Sequence, residues 1–198
     1  MALVIVGLGN PGAEYEGTRH NAGRDAVVEL AKEEKFGEFV FNKKANAQVA
    51  EGKIDKVKVT LVLPDTFMNN SGKAVAAFVK SVKAADKLLV IHDDLDLPLG
   101  ALKLVFNRGS GGHKGVESIN RALKTEAYVR LRVGISGEGK KHQAKKVHGE
   151  EKVLKHVIGK WRPSEKAAAK KATLRAVEVA RVWVSESFEK AQQLANTR

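Results

Sequence analysis

The sequence predicts an α/β protein, a single-domain three-layer α/β/α sandwich built on a mixed, mostly parallel twisted sheet. Three observations indicate this class. Short runs rich in Val, Ile and Leu end at Gly, Pro, Asp or Asn, which is the composition of buried strands. Amphipathic helical stripes separate several of these runs. The 198 residues contain neither an internal repeat nor a long linker, so one domain spanning residues 1–198 is expected.

Six segments are predicted to be strands. Residues 51–56 have the composition of a hairpin turn between the second and third of them, which requires these two strands to pair antiparallel. The sheet is therefore mixed and not wholly parallel. The predicted strands are residues 2–6, 45–50, 58–63, 88–91, 102–106 and 131–135.

Four helices are predicted. The first covers residues 21–35 with Thr18 as a candidate cap, and the second begins at a Ser71 cap and carries its apolar stripe to Val82. A short helix spans residues 116–123. A long C-terminal helix begins at Pro163, because proline suits the first turn of a helix. The polar, lysine-rich residues 137–146 predict a surface loop.

Composition restricts the class of function. The absence of cysteine excludes disulfides and thiolate chemistry and indicates a reducing, cytoplasmic compartment. No apolar run is long enough for a membrane span, and the N-terminus has the pattern of a core strand and not of a signal peptide. The formal net charge is +12, and residues 140–198 hold 15 basic and 6 acidic side chains. This basic C-terminal portion suits a polyanion such as a nucleic acid, although a solvated helical surface has the same composition.

A glycine-rich turn follows the first predicted strand. Gly7, Gly9 and Gly12 have the G-x-G-x-x-G spacing of a dinucleotide-binding loop. Pro11 removes an N–H that such a loop needs for phosphate, and the glutamates within residues 13–16 would repel an anion. The spacing alone is weak evidence for a nucleotide-dependent enzyme, which is kept as an alternative.

Four polar loops are expected to meet at the carboxyl edge of the sheet, because each follows a predicted strand. His20 beside a strand-end carboxylate of the third loop, which holds Asp93, Asp94 and Asp96, suggests a general base and the group that orients it. The amides of Asn10 and Asn69 are neutral donors suited to a carbonyl or its developing oxyanion. Since cysteine is absent and no serine lies in a G-x-S-x-G motif, water is the expected nucleophile. The loops are residues 7–20, 64–71, 92–100 and 107–114.

Each of these features also has a purely structural interpretation. His20 at a helix start can be a capping or surface residue. The acidic residues 93–96 can bind Mg²⁺ or form an acidic turn, and the spacing of the histidines disfavours zinc. Phe67 can belong to the core, and residues 69–70 can be a turn. Residues 108–112 are either a phosphate-binding nest or a flexible hairpin.

Together the four loops resemble the bacterial-type peptidyl-tRNA hydrolase family over nearly the whole chain. Several motifs in family order carry this resemblance, and the set is more specific than any one of them. They are residues 6–12 (VGLGNPG), 18–23 (TRHNAG), 66–72 (TFMNNSG), 92–100 (HDDLDLPLG), 109–115 (GSGGHKG) and 130–135 (RLRVGI). The resemblance implies that the glycine-rich turn is a platform for Asn10 and not a pyrophosphate cradle.

The resemblance implies a monomeric hydrolase, without metal or cofactor, that cleaves the ester between a peptide and the 3′ end of tRNA. Such an enzyme recycles peptidyl-tRNA released from stalled translation. The resemblance implies that His20 is the general base and that Asp93 stabilises it. It also implies that Asn10 and Asn69 hold substrate carbonyls and discriminate N-blocked from free aminoacyl-tRNA.

For binding, the resemblance places Tyr15 and Phe67 along the path of the peptidyl-adenosine end and Arg132 at a tRNA phosphate, with the basic C-terminal portion adding to that surface. Lys114 departs from the family pattern, in which asparagine is usual. A lysine cannot accept a hydrogen bond, and its charge can clamp a phosphate, stabilise an oxyanion or lower the basicity of His20. A non-catalytic RNA-binding relative of the same fold is therefore kept as a second hypothesis.

Overall fold

Seven strands form one sheet at the centre of the protein. The computed structural model describes residues 2–137, 143–145 and 147–197, so the predicted surface loop at 137–146 lies partly outside the described residues. The strands are β1 (Leu3–Gly7), β2 (Val40–Asn42), β3 (Ala47–Ile54), β4 (Val57–Pro64), β5 (Leu88–Pro98), β6 (Leu102–Phe106) and β7 (Val129–Ser136). Their order across the sheet is β2-β3-β4-β1-β5-β7-β6.

The sheet is mixed, as the sequence predicts. β4, β1, β5 and β7 are parallel neighbours, whereas β3 and β6 run antiparallel to the strands beside them. β3 and β4 form the predicted hairpin, and its turn consists of Asp55, with a φ of 52°, and Lys56. Because parallel strands end at the same edge of a sheet, the segments after β1, β4 and β5 come together there.

Helices cover both faces of the sheet. They are α1 (Ala22–Glu33), α2 (Ser71–Ala76), α3 (Lys114–Leu123), α4 (Glu150–Val157), α5 (Pro163–Ser185) and α6 (Phe188–Asn196). One apolar cluster packs α1, α5 and α6 on one face and includes Leu30 and Val179, and a second packs α2 and α3 on the other and includes Val75 and Ile119. This arrangement confirms the three-layer sandwich. In the part of the chain that the structure describes, no helix has both the length and the apolar character to cross a membrane.

β5 is longer than predicted. Residues 92–98, predicted to belong to a loop, continue the strand to Pro98. This extension pairs with β7 through Asp94 and, after an irregularity, again at Pro98 opposite Ser136, whose hydroxyl donates to the carbonyl of Leu95 at 2.6 Å. Polar side chains at the end of a strand have the same composition as a loop, which explains the wrong prediction. The exposed edge strand β2 is absent from the predicted set.

The second helix is shorter than predicted. α2 ends at Ala76 and not near Val82, because the N–H groups of Ala77 and Phe78 bond to carbonyls three residues earlier and tighten the chain into a 3₁₀ turn. Ser71 is not its cap. The hydroxyl of Ser71 donates to the carbonyl three residues before it, at 2.9 Å, and accepts no N–H bond from the first turn.

The predicted C-terminal helix consists of two helices, α5 and α6. A further helix, α4, precedes them and was not predicted. α5 ends at Ser185, and a new N-terminus forms where the hydroxyl of Ser187 accepts the N–H of Lys190 at 3.3 Å. Thr18, the candidate cap of the first helix, has another partner, because its hydroxyl donates to the carbonyl of Tyr15 at 2.7 Å. Short helices and breaks of this kind leave little periodicity in the sequence.

Candidate active site

The side chains of His20 and Asp93 are in direct contact. His20 lies on a 3₁₀ turn immediately before α1, and Asp93 lies on β5, an interior strand of the sheet next to the central β1. Nδ1 of His20 is 2.9 Å from Oδ1 of Asp93, and the side chains are 12% and 2% exposed. The predicted base and its orienting carboxylate are therefore adjacent at the edge of the sheet.

The buried Asp93 is the anion of this site. Burial favours its neutral acid, but the charges and N–H donors of His20 and His113 outweigh burial and hold the pKa of Asp93 well below its usual range. Burial likewise opposes a charged His20, but the Asp93 carboxylate prevails and raises the pKa of His20 above its ordinary value. Neutral His20 donates its Nδ1–H to Asp93, which leaves the lone pair of Nε2 available to take a proton.

His113 is a second imidazole on the same carboxylate oxygen. Its Nδ1 accepts the backbone N–H groups of Gly115 (3.2 Å) and Val116 (3.3 Å), so it caps α3. The proton of a neutral ring is then on Nε2, which lies 2.9 Å from Oδ1 of Asp93 and donates to it. The sequence analysis assigned no role to His113. The sequence pattern that could have identified it is a polar residue directly between a glycine-rich segment and a predicted helix, which is the position of a helix cap.

The distances in this cluster would also admit a metal ion, since ligand atoms of His20, Asp93 and His113 all lie within 4.8 Å of one another. The tautomer of His113 does not suit one. Coordination through Nε2 would move the ring proton to Nδ1, where it would face two backbone N–H donors. The Mg²⁺ interpretation of residues 93–96 is also weakened, because Asp94 accepts from both Arg132 and the N–H of Asp96.

Asn10 links the glycine-rich turn to the segment after β4. Its Oδ1 accepts the N–H of Met68 at 2.9 Å, and its backbone is held by two hydrogen bonds to the side chain of Asn21. The Nδ2 amide is left as the donor of this buried side chain. Gly9 permits close packing on α1, because a Cβ there would lie 2.8 Å from Cβ of Arg24. The turn therefore makes these contacts within the protein, and they fix the position of Asn10.

Tyr15, Phe67 and Asn69 form a rim next to Asn10. The rings of Tyr15 and Phe67 meet edge to face with centroids 6.4 Å apart, and Phe67 is 60% exposed. Phe67 is therefore not part of the core. Asn69 is exposed in the turn Met68–Asn70. Tyr15 is half-buried, and an exposed aromatic ring such as that of Phe67 can stack on a nucleobase.

A cavity of about 430 Å³ opens beside His20 and Asp93. Lys114, exposed in the first turn of α3, lines it together with part of the glycine-rich segment. The opposite wall is apolar and comes mainly from α4, through Val153 and Leu154. Because α4 was not predicted, the sequence analysis did not anticipate this wall.

Arg132 lies one strand away, on β7. Its Nε donates to Asp94, and the residue directly opposite it on β6 is Lys103. Directly opposed side chains share one face of a sheet, so the two cations are neighbours. A second cavity of about 470 Å³ lies at this position and is lined by Arg108, Arg130 and Arg132. The sequence analysis did not identify Lys103, although its position in the strand places it on the same face of the sheet as Arg132.

Sequence comparison decides the family. The peptidyl-tRNA hydrolase family profile matches residues 4–198. The chain belongs to the peptidyl-tRNA hydrolase family. The curated peptidyl-tRNA hydrolase of Halalkalibacterium halodurans is 40% identical over 186 residues, which are 93% of this chain and 95% of that protein. The peptidyl-tRNA hydrolase of Brevibacillus brevis is also 40% identical, over 98% of this chain and 97% of its own length.

Solved structures agree with the sequence relatives. The crystal structure of the peptidyl-tRNA hydrolase of Acinetobacter baumannii superposes with a TM-score of 0.87 and 34% identity, covering 99% of this chain and 95% of that one. Membership of the peptidyl-tRNA hydrolase family confirms the predicted resemblance, the fold class and the enzyme class. It argues against the nucleotide-dependent alternative.

Proposed function

We propose that this member of the peptidyl-tRNA hydrolase family cleaves the ester bond between a peptide and the 3′ end of tRNA with a water molecule activated by His20. The observation that carries the proposal is the 2.9 Å contact of His20 with Asp93 at the edge of a cavity. Asp93 fixes the tautomer that presents the lone pair of Nε2. Cleavage of peptidyl-tRNA released from stalled translation returns the tRNA for use.

In the proposed reaction, Nε2 of His20 takes one proton from water while the water oxygen bonds to the ester carbonyl carbon. The bond from that carbon to the ribose oxygen of tRNA then breaks, and the leaving oxygen takes the proton back from Nε2. The products are a peptide acid and a tRNA with a free 3′ end. Asp93 stabilises the imidazolium between the two steps, and such base catalysis contributes about 10²–10⁴-fold.

Asn10 and Asn69 act as donors to substrate carbonyls in this proposal. The Nδ2 group of Asn10 remains available because its Oδ1 is bound to the N–H of Met68. Amide donors suit a developing oxyanion, since they do not titrate. Contacts with the carbonyl of an N-acyl group would also distinguish peptidyl-tRNA from free aminoacyl-tRNA. Lys114 lines the cavity and would add a cation to the same environment.

The tRNA is proposed to lie across two surfaces. The terminal adenosine stacks on Tyr15 and Phe67, and Arg132 with Lys103 contacts a phosphate of the acceptor arm. The basic C-terminal portion, residues 140–198, adds to the electrostatic attraction, because phosphate contacts supply much of the affinity for nucleic acids. The enzyme is proposed to act as a monomer and without a metal.

A release assay on N-acetyl-aminoacyl-tRNA tests the proposal. We expect cleavage of the N-acetylated substrate that persists after treatment with a chelator, and much slower cleavage of the free aminoacyl-tRNA. Binding of tRNA without ester cleavage would instead favour the non-catalytic RNA-binding hypothesis. Abolition of cleavage by the chelator, with recovery on addition of a divalent cation, would contradict the metal-free mechanism.

A further inference from the structure

Arg130 is a buried cation on β7. The residue is 2% exposed, and one terminal nitrogen of its guanidinium donates to the backbone carbonyls of Gly109, at 3.0 Å, and of Arg108. Within the described residues no carboxylate lies within 4.0 Å of it, and its buried Nε–H has no acceptor. Burial without a counter-ion is unfavourable for a guanidinium, which remains charged in proteins. Its described partners are thus carbonyls of one surface segment.

That segment, residues 107–112, joins β6 to α3. It contains three glycines and three residues with positive φ, and its own hydrogen bonds are few. The side chain of Ser110 accepts the N–H of Gly112 at 3.1 Å, and its carbonyl accepts the N–H of His113 at 3.2 Å. A glycine-rich exposed segment of this kind has low intrinsic rigidity. Arg130 holds its beginning, and the contact of His113 with Asp93 holds its end.

We infer that Arg130 is a positioning residue for hydrolysis: its guanidinium holds the start of segment 107–112 on the sheet, so that His113 keeps its hydrogen bond to Asp93. The inference rests on the proposed function, because it acts through Asp93 on His20. Arg130 itself does not touch the reacting atoms in this scheme. It is distinct from Arg132, which is proposed to contact tRNA.

The hydrogen bond from His113 affects His20 because both imidazoles donate to the same oxygen of Asp93. When His113 withdraws, that oxygen binds His20 alone and favours its protonated form. Lys114 would move away with His113, and the loss of its positive charge near His20 would also favour protonated His20. The charged or titratable groups that line the cavity around His20 are Asp93, Asp94 and Asp96 from β5, His113 and Lys114 from the start of α3, and Glu150 from α4. Of these carboxylates, Asp94 also interacts electrostatically with Arg130.

The variant Arg130→Met tests the inference, because methionine has a similar length without the charge. Replacing an uncompensated buried ion by an apolar side chain is often neutral or stabilising, so we expect an unfolding temperature at or above that of the parent. We expect kcat to fall about 10- to 100-fold from misplacement of the site. KM for N-acetyl-aminoacyl-tRNA should rise at most a few-fold, because Arg130 lines the same cavity as Arg132. The acid limb of the profile of kcat/KM against pH should move to higher pH. Arg121→Met, an exposed arginine of α3, is the control and should change none of these quantities.

An unchanged kcat, or a lower kcat with an unmoved acid limb, would overturn the inference. If Arg130→Met does not fold, Arg130→Lys is measured in the same way, and an intermediate loss with an intermediate shift is expected. Hydrogen–deuterium exchange of the peptide that covers residues 107–113 provides a readout independent of activity. Exchange should be faster in Arg130→Met and unchanged in Arg121→Met, and equal rates would overturn the inference. If the parent chain does not hydrolyse the substrate, the proposed function is wrong. The exchange experiment still tests whether Arg130 holds segment 107–112.

Discussion

Nη2 of Arg19 lies 2.5 Å from Oε2 of Glu165, so an ion pair joins the turn that carries His20 to the first turn of α5. Arg19 also donates to the carbonyl of Gly159 at 3.0 Å, and its guanidinium lies 5.1 Å from the ring centroid of Trp161. The guanidinium is therefore enclosed by partners from the segment between α4 and α5. Arg19 therefore connects the turn that carries His20 to the segment that follows α4, the helix that forms the apolar wall of the cavity.

Glu165→Gln is expected to lower the free energy of unfolding by about 2 kcal/mol, because it leaves the Arg19 charge largely buried without its counter-ion. Urea unfolding measures the difference. Glu178→Gln, which changes an exposed glutamate of the same helix, is the matched control and should alter stability little. Equal losses in the two variants would contradict a special role for the pair.

His20→Ala is expected to lower kcat about 10²–10⁴-fold and to leave KM and tRNA affinity close to the parent values, because the base acts on the chemical step. Single-turnover hydrolysis and tRNA binding are measured together. His148→Ala replaces an exposed histidine outside the described lining of the cavity and should keep full activity. A near-parental kcat in His20→Ala would remove His20 from its proposed role.

The rate is expected to fall at low pH, because only neutral His20 can accept a proton. Asp93 raises the pKa of His20 above 6.5, so kcat/KM should rise with pH through a limb that lies above that value. In Asp93→Asn the attraction is lost and burial lowers the pKa of His20. The limb then moves to lower pH while the maximal rate drops, since an amide can hold the wrong tautomer. A pH–rate profile from about pH 5 to 9 checks both effects, and a limb that stays in place would argue against the pairing.

Asp25→Asn is expected to stabilise the protein at neutral pH. Burial raises the pKa of Asp25 from 3.8 to about 6, with Arg24 opposing and Glu16 reinforcing the shift. A raised pKa of an acid means that ionisation favours the unfolded chain, so the penalty grows between about pH 4 and pH 6 and is constant above. The variant should gain about 2 kcal/mol near pH 7 and almost nothing near pH 4. Thermal unfolding at both pH values is the measurement, and an equal gain at each would count against it.

Arg132→Glu is expected to raise KM several-fold with little change in kcat. The slope of log KM against log salt concentration should fall by about 1 to 2, because a phosphate contact is lost and a like charge is added. Lys53→Glu makes the same change of charge on an exposed position of β3 and serves as the control. If the slope of Arg132→Glu matches that of Lys53→Glu, the phosphate surface lies elsewhere.

The sheet, its hairpin and the meeting of His20 with a strand-end carboxylate could be predicted from the sequence, and the family resemblance singled out Asp93 as that carboxylate. The apolar composition of the strands predicts the sheet. The rule that loops meet at the carboxyl edge of parallel strands predicts that the two side chains lie close together. The end of β5 could not be predicted in this way. Asp93, Asp94 and Asp96 at this end line the cavity, so the composition of the segment reflects the site and not the strand.

His113 and α4 could not be predicted for different reasons. The role of His113 arises from the tautomer that two N–H groups of α3 impose, and this depends on geometry that no spacing encodes. α4 is eight residues long, and only Val157 within it is buried, so its periodicity is weak. Arg130 lies in one of the recognised motifs, but its enclosure by carbonyls of a distant segment is a tertiary property.

Asp93 stands on β5, an interior strand of the sheet, whereas its imidazole partners come from peripheral segments, His20 from a short 3₁₀ turn and His113 from the residue before α3. Peripheral turns open locally at lower free-energy cost than central strands. On gradual heating, the chain should consequently become inert while its secondary structure is still intact, and cooling from that stage should restore full turnover without a refolding lag.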